Sequence, residues 1–138
     1  MPDHVLVPFD GTPKSEDALT FAVEEWPDAA FTLLYVIDPV TSSVRRRALP
    51  GSSEEWYEQA RETARTQFDE ARELAGRTFD TRIEVGSPAR VIVDVAGEDP
   101  FDHVVLGSHG REGVSRILLG SVAEEVIRRS PMPVTVVR

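Results

Sequence analysis

Cysteine is absent from all 138 residues, which excludes disulfides, thiolate metal ligands and cysteine nucleophiles at the outset. The interior has to hold by packing alone. Lysine is nearly absent as well: of fifteen basic residues only Lys14 is a lysine, against 24 aspartates and glutamates. The net charge of −9 opposes DNA, RNA and anionic lipid, because each of these is gathered by a basic face. Neither a nucleic-acid nor a membrane partner is expected. The acidic residues are spread along the chain, and a carboxylate-rich surface stays hydrated where salt screens other charge effects. This halophilic composition is one reading of the missing lysines; an arginine-rich codon bias explains them equally well.

No apolar run approaches the roughly 20 residues that span a bilayer. The opening MPDHVLVPFD has no basic segment leading into an apolar stretch, so a soluble cytoplasmic protein is the expectation. Familiar phosphate motifs are missing too: there is no G-x-x-x-x-G-K-[ST], and Asp10-Gly11-Thr12-Pro13 follows the first strand in place of G-x-G-x-x-G. His4, His103 and His109 fall at separate strand ends without metal-ligand spacing, and no structural metal is expected.

What is present is a regular alternation. His4 to Phe9 is short, apolar and β-branched, and Thr12-Pro13 opens a helix carrying Ala18, Leu19, Ala22, Val23 and Trp26 at helical spacing until Pro27. Ala30 to Ile37 is nearly continuous apolar sequence, as befits a strand covered on both faces. Val40 to Gly51 has no period and holds Arg45, Arg46 and Arg47, which reads as an exposed connection with a solvated charge run rather than a lid.

Ser52 with Glu55 forms a capping box before a long helix, with Trp56, Ala60, Ala64, Phe68, Ala71 and Ala75 on one stripe, which Gly76 closes. Thr81 to Val85 is a strand. Ser87-Pro88 starts a helix with Val91, Ile92, Val95 and Ala96 on one face, His103 to Leu106 is a strand, Ser121 to Arg129 a helix and Val134 to Val137 a last strand. One domain, residues 1–138, accommodates this β-α-β-α-β-α-β-α-β order. The alternation predicts an α/β fold, a five-stranded parallel sheet with right-handed crossovers and helices on both faces. Such sheets bind ligands at the carboxyl ends of strands, where the strand order reverses. Asp10 and Gly107 both stand at strand carboxyl ends.

The chemistry is concentrated in Gly107-Ser108-His109-Gly110, then nine residues, then Gly120-Ser121. Glycines let backbone N–H groups approach an anion, and the second turn opens a helix whose first amides, on Ser121, Val122 and Ala123, lack intrahelical acceptors. Arg111 and Arg116 read either as charge-assisted donors on a span that could fold back over a phosphate chain or as plain solvent-facing charge. Each residue also has a plainer reading. Gly107 and Gly110 serve equally as turn residues, Ser121 with Glu124 as a capping box, and Asp10 as the closure of its own turn onto the Thr12 amide.

Taken together these residues resemble the universal stress protein family, in its ATP-binding branch, whose pattern is G-x-x-G, nine residues, G-[ST]. The resemblance extends to Val5–Gly11, Leu34–Asp38, Gly86–Ala89 and Asp102–Arg111, in order along nearly the whole chain. It implies the sheet order 3-2-1-4-5 of adenine nucleotide alpha hydrolase-like, Rossmann-like folds, with strands one and four side by side at the switch point. It implies a site for ATP, AMP or ADP with or without Mg. Val36 would offer backbone hydrogen bonds to adenine, and Pro8, Phe9 and Leu106 the pocket wall. Asp10 would lie near the ribose or a nucleotide-bound Mg, and Gly107, Ser108, His109, Gly110, Arg111, Gly113, Gly120, Ser121, Val122 and Ala123 would surround the phosphates. It also implies a homodimer through the edge strand Val134–Val137, which left open would invite uncontrolled association.

The function implied is a dimeric, nucleotide-binding stress-response or signalling protein without strong catalysis and with an unspecified protein partner. Two alternatives stand beside it: a slow ATPase or nucleotide hydrolase, disfavoured because no lysine or general base adjoins the loop, and a nucleotide-free dimeric scaffold.

Overall fold

The computed structural model describes residues 1–40, 53–108 and 119–138. Arg45–Arg47 and Ser52 of the expected capping box lie outside them. The elements are β1 (His4–Pro8), α1 (Pro13–Glu25), β2 (Ala30–Ile37), α2 (Ser53–Ala75), β3 (Asp80–Val85), α3 (Pro88–Ala96), β4 (His103–Gly107), α4 (Ser121–Arg129) and β5 (Val134–Val137). They form one five-stranded sheet of order β3-β2-β1-β4-β5, in which every pairing is parallel.

Strand pleating explains why β1, β2 and β4 are apolar without alternation. Val5, Val7, Phe31, Leu33, Tyr35, Ile37 and Val105 enter one core with Ala18, Leu19 and Ala22 of α1 and Ala64, Phe68 and Ala71 of α2. Leu6, Leu34, Val104 and Leu106 point the other way, into a second core with Ala89, Ile92, Val95 and Ala96 of α3 and Ala123 and Val126 of α4. Leu6, Leu19, Leu33 and Leu34 are completely enclosed, and burial of each contributes about 1.5–3 kcal/mol.

Local signals end the helices where the chain directs. Thr12 caps α1: its Oγ1 accepts from the Ser15 amide at 3.4 Å, and the Ser15 hydroxyl donates to the Thr12 carbonyl at 2.8 Å. Gly76 takes φ +66° after α2 and donates its amide to the Arg72 carbonyl, as a glycine in the left-handed region does at a helix end. The expected structureless connection already departs from that reading at its first residue. Pro39 and Val40 are helical, because Asp38 Oδ1 accepts from the Val40 amide at 2.9 Å, a local bond available to aspartate but not visible as periodicity.

The amino-terminal end of the sheet is closed by polar groups. Asp102 accepts from the Asp3 and His4 amides, and His103 Nε2 meets Thr135 Oγ1 at 2.8 Å. The Trp26 ring stands edge-on to His103, with centroids 4.8 Å apart. Desolvation by this packing pushes the His103 pKa below its ordinary value, against a smaller raising effect of Asp102.

A histidine held neutral in the fold stabilises it above the unfolded-chain value of 6.5, and this contribution is lost as pH falls through the depressed folded value. Urea unfolding at fixed ionic strength is therefore expected to show stability declining from about pH 7 to about pH 5. The decline should be shallower in His103→Gln, which keeps a polar partner for Thr135 but cannot titrate. Equal slopes in the two proteins would contradict the assignment.

Candidate functional site

The switch point lies between β1 and β4, and the backbone itself opens it. The amide of Phe9 donates to the Leu34 carbonyl at 2.8 Å, so the odd residues of β1 turn their backbone groups toward β2 and the even ones toward β4. Leu6 makes the pairing with β4, opposite Val104. The next residue facing β4 is Pro8, which has no N–H. The β1–β2 ladder continues to Pro8 opposite Leu34, while β1 and β4 are left free to part at their carboxyl ends.

The same alternation orients Val36. Leu34 offers its carbonyl to Phe9, and Val36, two residues further, turns its N–H and C=O to the same side, where β1 has already ended. Phe9 contributes less than expected: its ring is 3% exposed and packs in the core beneath α1 and α2. Leu106 is buried in the opposite core, and Pro8 is half-buried at the opening.

Asp10 closes its own turn. Its Oδ1 accepts from the Thr12 amide at 3.0 Å and from the Thr12 hydroxyl at 2.6 Å. Gly11 follows at φ +81°, with the Gln67 side-chain amide of α2 so close that a Cβ would lie 2.5–2.6 Å from it. Gln67 was not marked by any local pattern, because only the fold brings α2 over this turn.

On the β4 side the glycines have definite tasks. A Cβ on Gly107 would sit 2.7 Å from the Lys14 carbonyl oxygen and 2.8 Å from its carbon, so the missing side chain admits the first turn of α1. Ser108 is 3% exposed; its amide donates to the Val137 carbonyl at 2.8 Å, and its carbonyl accepts from the Gly120 amide at 2.7 Å. The amides of Ser108 and Gly120 are thus engaged within the fold, a correction to a cradle built from every glycine-flanked N–H.

What remains is the start of α4. Gly120 is its N-cap and no side chain caps it, so the expected Ser121–Glu124 capping box does not form: Ser121 is already the first helical residue and stands exposed. The first intrahelical bond runs from the Glu124 amide to the Gly120 carbonyl. The amides of Ser121, Val122 and Ala123 precede it, and at a helix start these have no acceptor within the helix. Val122 is half-buried and Ala123 buried, which holds this turn rigidly against the second core. His109, Gly110, Arg111, Gly113 and Arg116 lie outside the described residues.

The family described as the Universal stress protein family matches residues 1–138, the whole chain. The chain belongs to the universal stress protein family. Among its relatives, universal stress protein MJ0531 of Methanocaldococcus jannaschii is 35% identical over 140 residues, covering 97% of this chain and 81% of the relative. The solved structure of MJ0577 from the same organism superposes with a TM-score of 0.82 at 31% identity, covering 98% of this chain and 94% of that one. The universal stress protein from Archaeoglobus fulgidus, solved in complex with dAMP, superposes with a TM-score of 0.63 at 26% identity, covering 100% of this chain and 98% of that one. The strand order expected of the family is the one observed.

Gly107→Ala is expected to lower stability by about 1–3 kcal/mol through the forced shift of the Lys14 backbone, read as a lower urea midpoint without nucleotide. An unchanged midpoint would mean that α1 yields freely and that the glycine serves a ligand alone.

Proposed function

We propose that this universal stress protein binds an adenine nucleotide, ATP in the first place, across the carboxyl ends of β2, β1 and β4. What supports the proposal is that strand alternation and helix geometry turn two sets of backbone groups away from their own ladders, on either side of a break in the sheet. Val36 faces the space beyond β1, and the start of α4 is tied to β4 through the bond from Gly120 to Ser108. Two interstrand spacings separate β2 from β4, about 10 Å, which is the reach of a nucleoside from its base to its first phosphates. A relative of the same family has been solved with dAMP.

In this reading Val36 holds the base through its backbone, as an adenine edge requires a donor and an acceptor side by side. Pro8 and Leu106 flank the nucleoside. The amides of Ser121, Val122 and Ala123, with the Ser121 hydroxyl, receive the phosphates where the helix dipole favours an anion. Gly110, Arg111 and Gly113 complete the phosphate loop, as the G-x-x-G, nine residues, G-[ST] pattern of the ATP-binding branch implies. Asp10, fixed by Thr12, stands on the ribose side or beside a nucleotide-bound Mg. The bound nucleotide supplies a removable anion, and the chain's own residues hold and orient it. Net charge does not forbid this, because at about 1 M salt the screening length is roughly 3 Å, comparable to a direct hydrogen bond.

We read the functional unit as a homodimer in the cytoplasm, joined through β5, and the activity as signalling by nucleotide occupancy rather than turnover. Occupancy shifts a conformation only if ATP binds that conformation better.

Calorimetric titration with ATP, AMP and GTP at high salt, with and without magnesium, is expected to show adenine-selective binding without steady release of phosphate. Ser121→Ala should weaken ATP about threefold to tenfold, and Gly110→Val should abolish binding. Wild type and Gly110→Val behaving alike would sink the site, and linear phosphate release that vanishes in Asp10→Asn would establish an enzyme instead.

A further inference from the structure

At the outer edge of the sheet a cavity of about 330 Å³ opens between α2 and β3, lined by Tyr57, Arg61, Arg65, Phe68, Thr81, Arg82 and Ile83. Core residues reach it, Phe68 from the core itself with Tyr57 and Ile83 packed against it, although more of its exposed lining is polar than apolar. Its polar lining includes three arginines in a chain whose net charge is −9, and they are not equivalent.

Arg82 is fully compensated. Its Nε donates to Glu84 at 2.9 Å and its Nη2 to Glu98 at 3.0 Å, and these bonds hold its pKa above the ordinary value. Arg82 pairs across from Leu34, whose side chain enters the α3–α4 core, so the Arg82 side chain leaves the strand on that face. Arg65 is paired with Glu62 at 2.8 Å, and both side chains are well exposed. Arg61 is different: its Nε is buried with no hydrogen-bond partner among the described residues, and its guanidinium carbon lies 5.6 Å from the centroid of the Tyr57 ring. A ring face offsets part of the charge but accepts no N–H in the plane of the guanidinium.

Backbone donors adjoin it. The Gly86 amide donates to the Ile37 carbonyl, so the even residues of β3 turn toward β2, and Thr81 and Ile83 turn their amides to the open edge. A buried, unmatched N–H on a cation is unfavourable unless an acceptor reaches it.

We propose that this cavity is a binding site for a small monocarboxylate carrying an apolar body, its carboxylate held by Arg61 with an edge amide of β3 and its body lying on Phe68, Ile83 and Tyr57. One cation without an ionic partner among the described residues matches one negative charge; a phosphate dianion would leave its second charge unmatched. The volume stands at the low end for small-molecule sites, which suits a single ring.

Sodium benzoate is the probe, titrated into the full chain and followed by amide NMR shifts. Saturable shifts at residues 57–68 and 81–83 are expected, weakened about tenfold in Arg61→Gln and less than about threefold in Arg65→Gln. Benzamide, the neutral isostere, should bind about tenfold more weakly than benzoate to the wild type, a comparison that decides the matter even if Arg61→Gln fails to fold. Benzamide binding as tightly as benzoate, equal binding by Arg61→Gln, inorganic phosphate saturating the same amides more tightly, or no shifts at all would overturn the proposal.

Discussion

Both backbone groups of Ser108 join parts of the chain that are distant in sequence. Its amide extends the β4–β5 ladder to Val137, and its carbonyl receives the amide of Gly120. The second bond fixes where α4 begins, and hence where three helix-start amides are held. One residue earlier, Gly107 meets the Lys14 backbone so closely that no side chain fits, which seats α1 against β4. The carboxyl end of β4 is therefore located by the last strand, the first helix and the last helix together. Interiors packed to crystal-like density resist small displacements, so helix-start amides tied to this end keep their positions without a ligand.

The opening next to this fixed end has a simpler cause. Parallel ladders draw on alternate residues for each neighbour, and on the β4 side of β1 the residue after Leu6 is a proline. A missing donor at Pro8 lets the sheet part there while β1 and β2 stay zipped through Phe9. Rigid walls and a permitted gap are both backbone properties, and the polar side chains described around them mostly serve the fold. Asp10 and Thr12 bond to each other and to the start of α1, and the polar atoms of Ser108 are enclosed.

Much of this was legible in the residues. Strand and helix positions followed from apolar period and from capping signals such as Thr12-Pro13 and Gly76, because these act within a few residues of themselves. The sheet order followed from the family resemblance. What the residues withheld was every contact made across the fold. Nothing near Gly107 in sequence announces the Lys14 backbone, nothing near Gly11 announces Gln67, and Ser121–Glu124 reads as a capping box until the helix is seen to start one residue earlier, at a Gly120 cap. Phe9 is the plainest case: position put it at the site, while the pleat sends its ring to the core.

The two outer strands differ in a way that bears on how far the sheet can grow. β3 runs Asp80-Thr81-Arg82-Ile83-Glu84-Val85, with Arg82 locked between Glu84 and Glu98, and ionic side chains along an edge discourage another strand from docking. β5 runs Val134-Thr135-Val136-Val137, half-buried throughout and uncharged. A sheet with one guarded and one unguarded border can be doubled about a twofold axis but not extended, since the doubled sheet presents the guarded border on both sides.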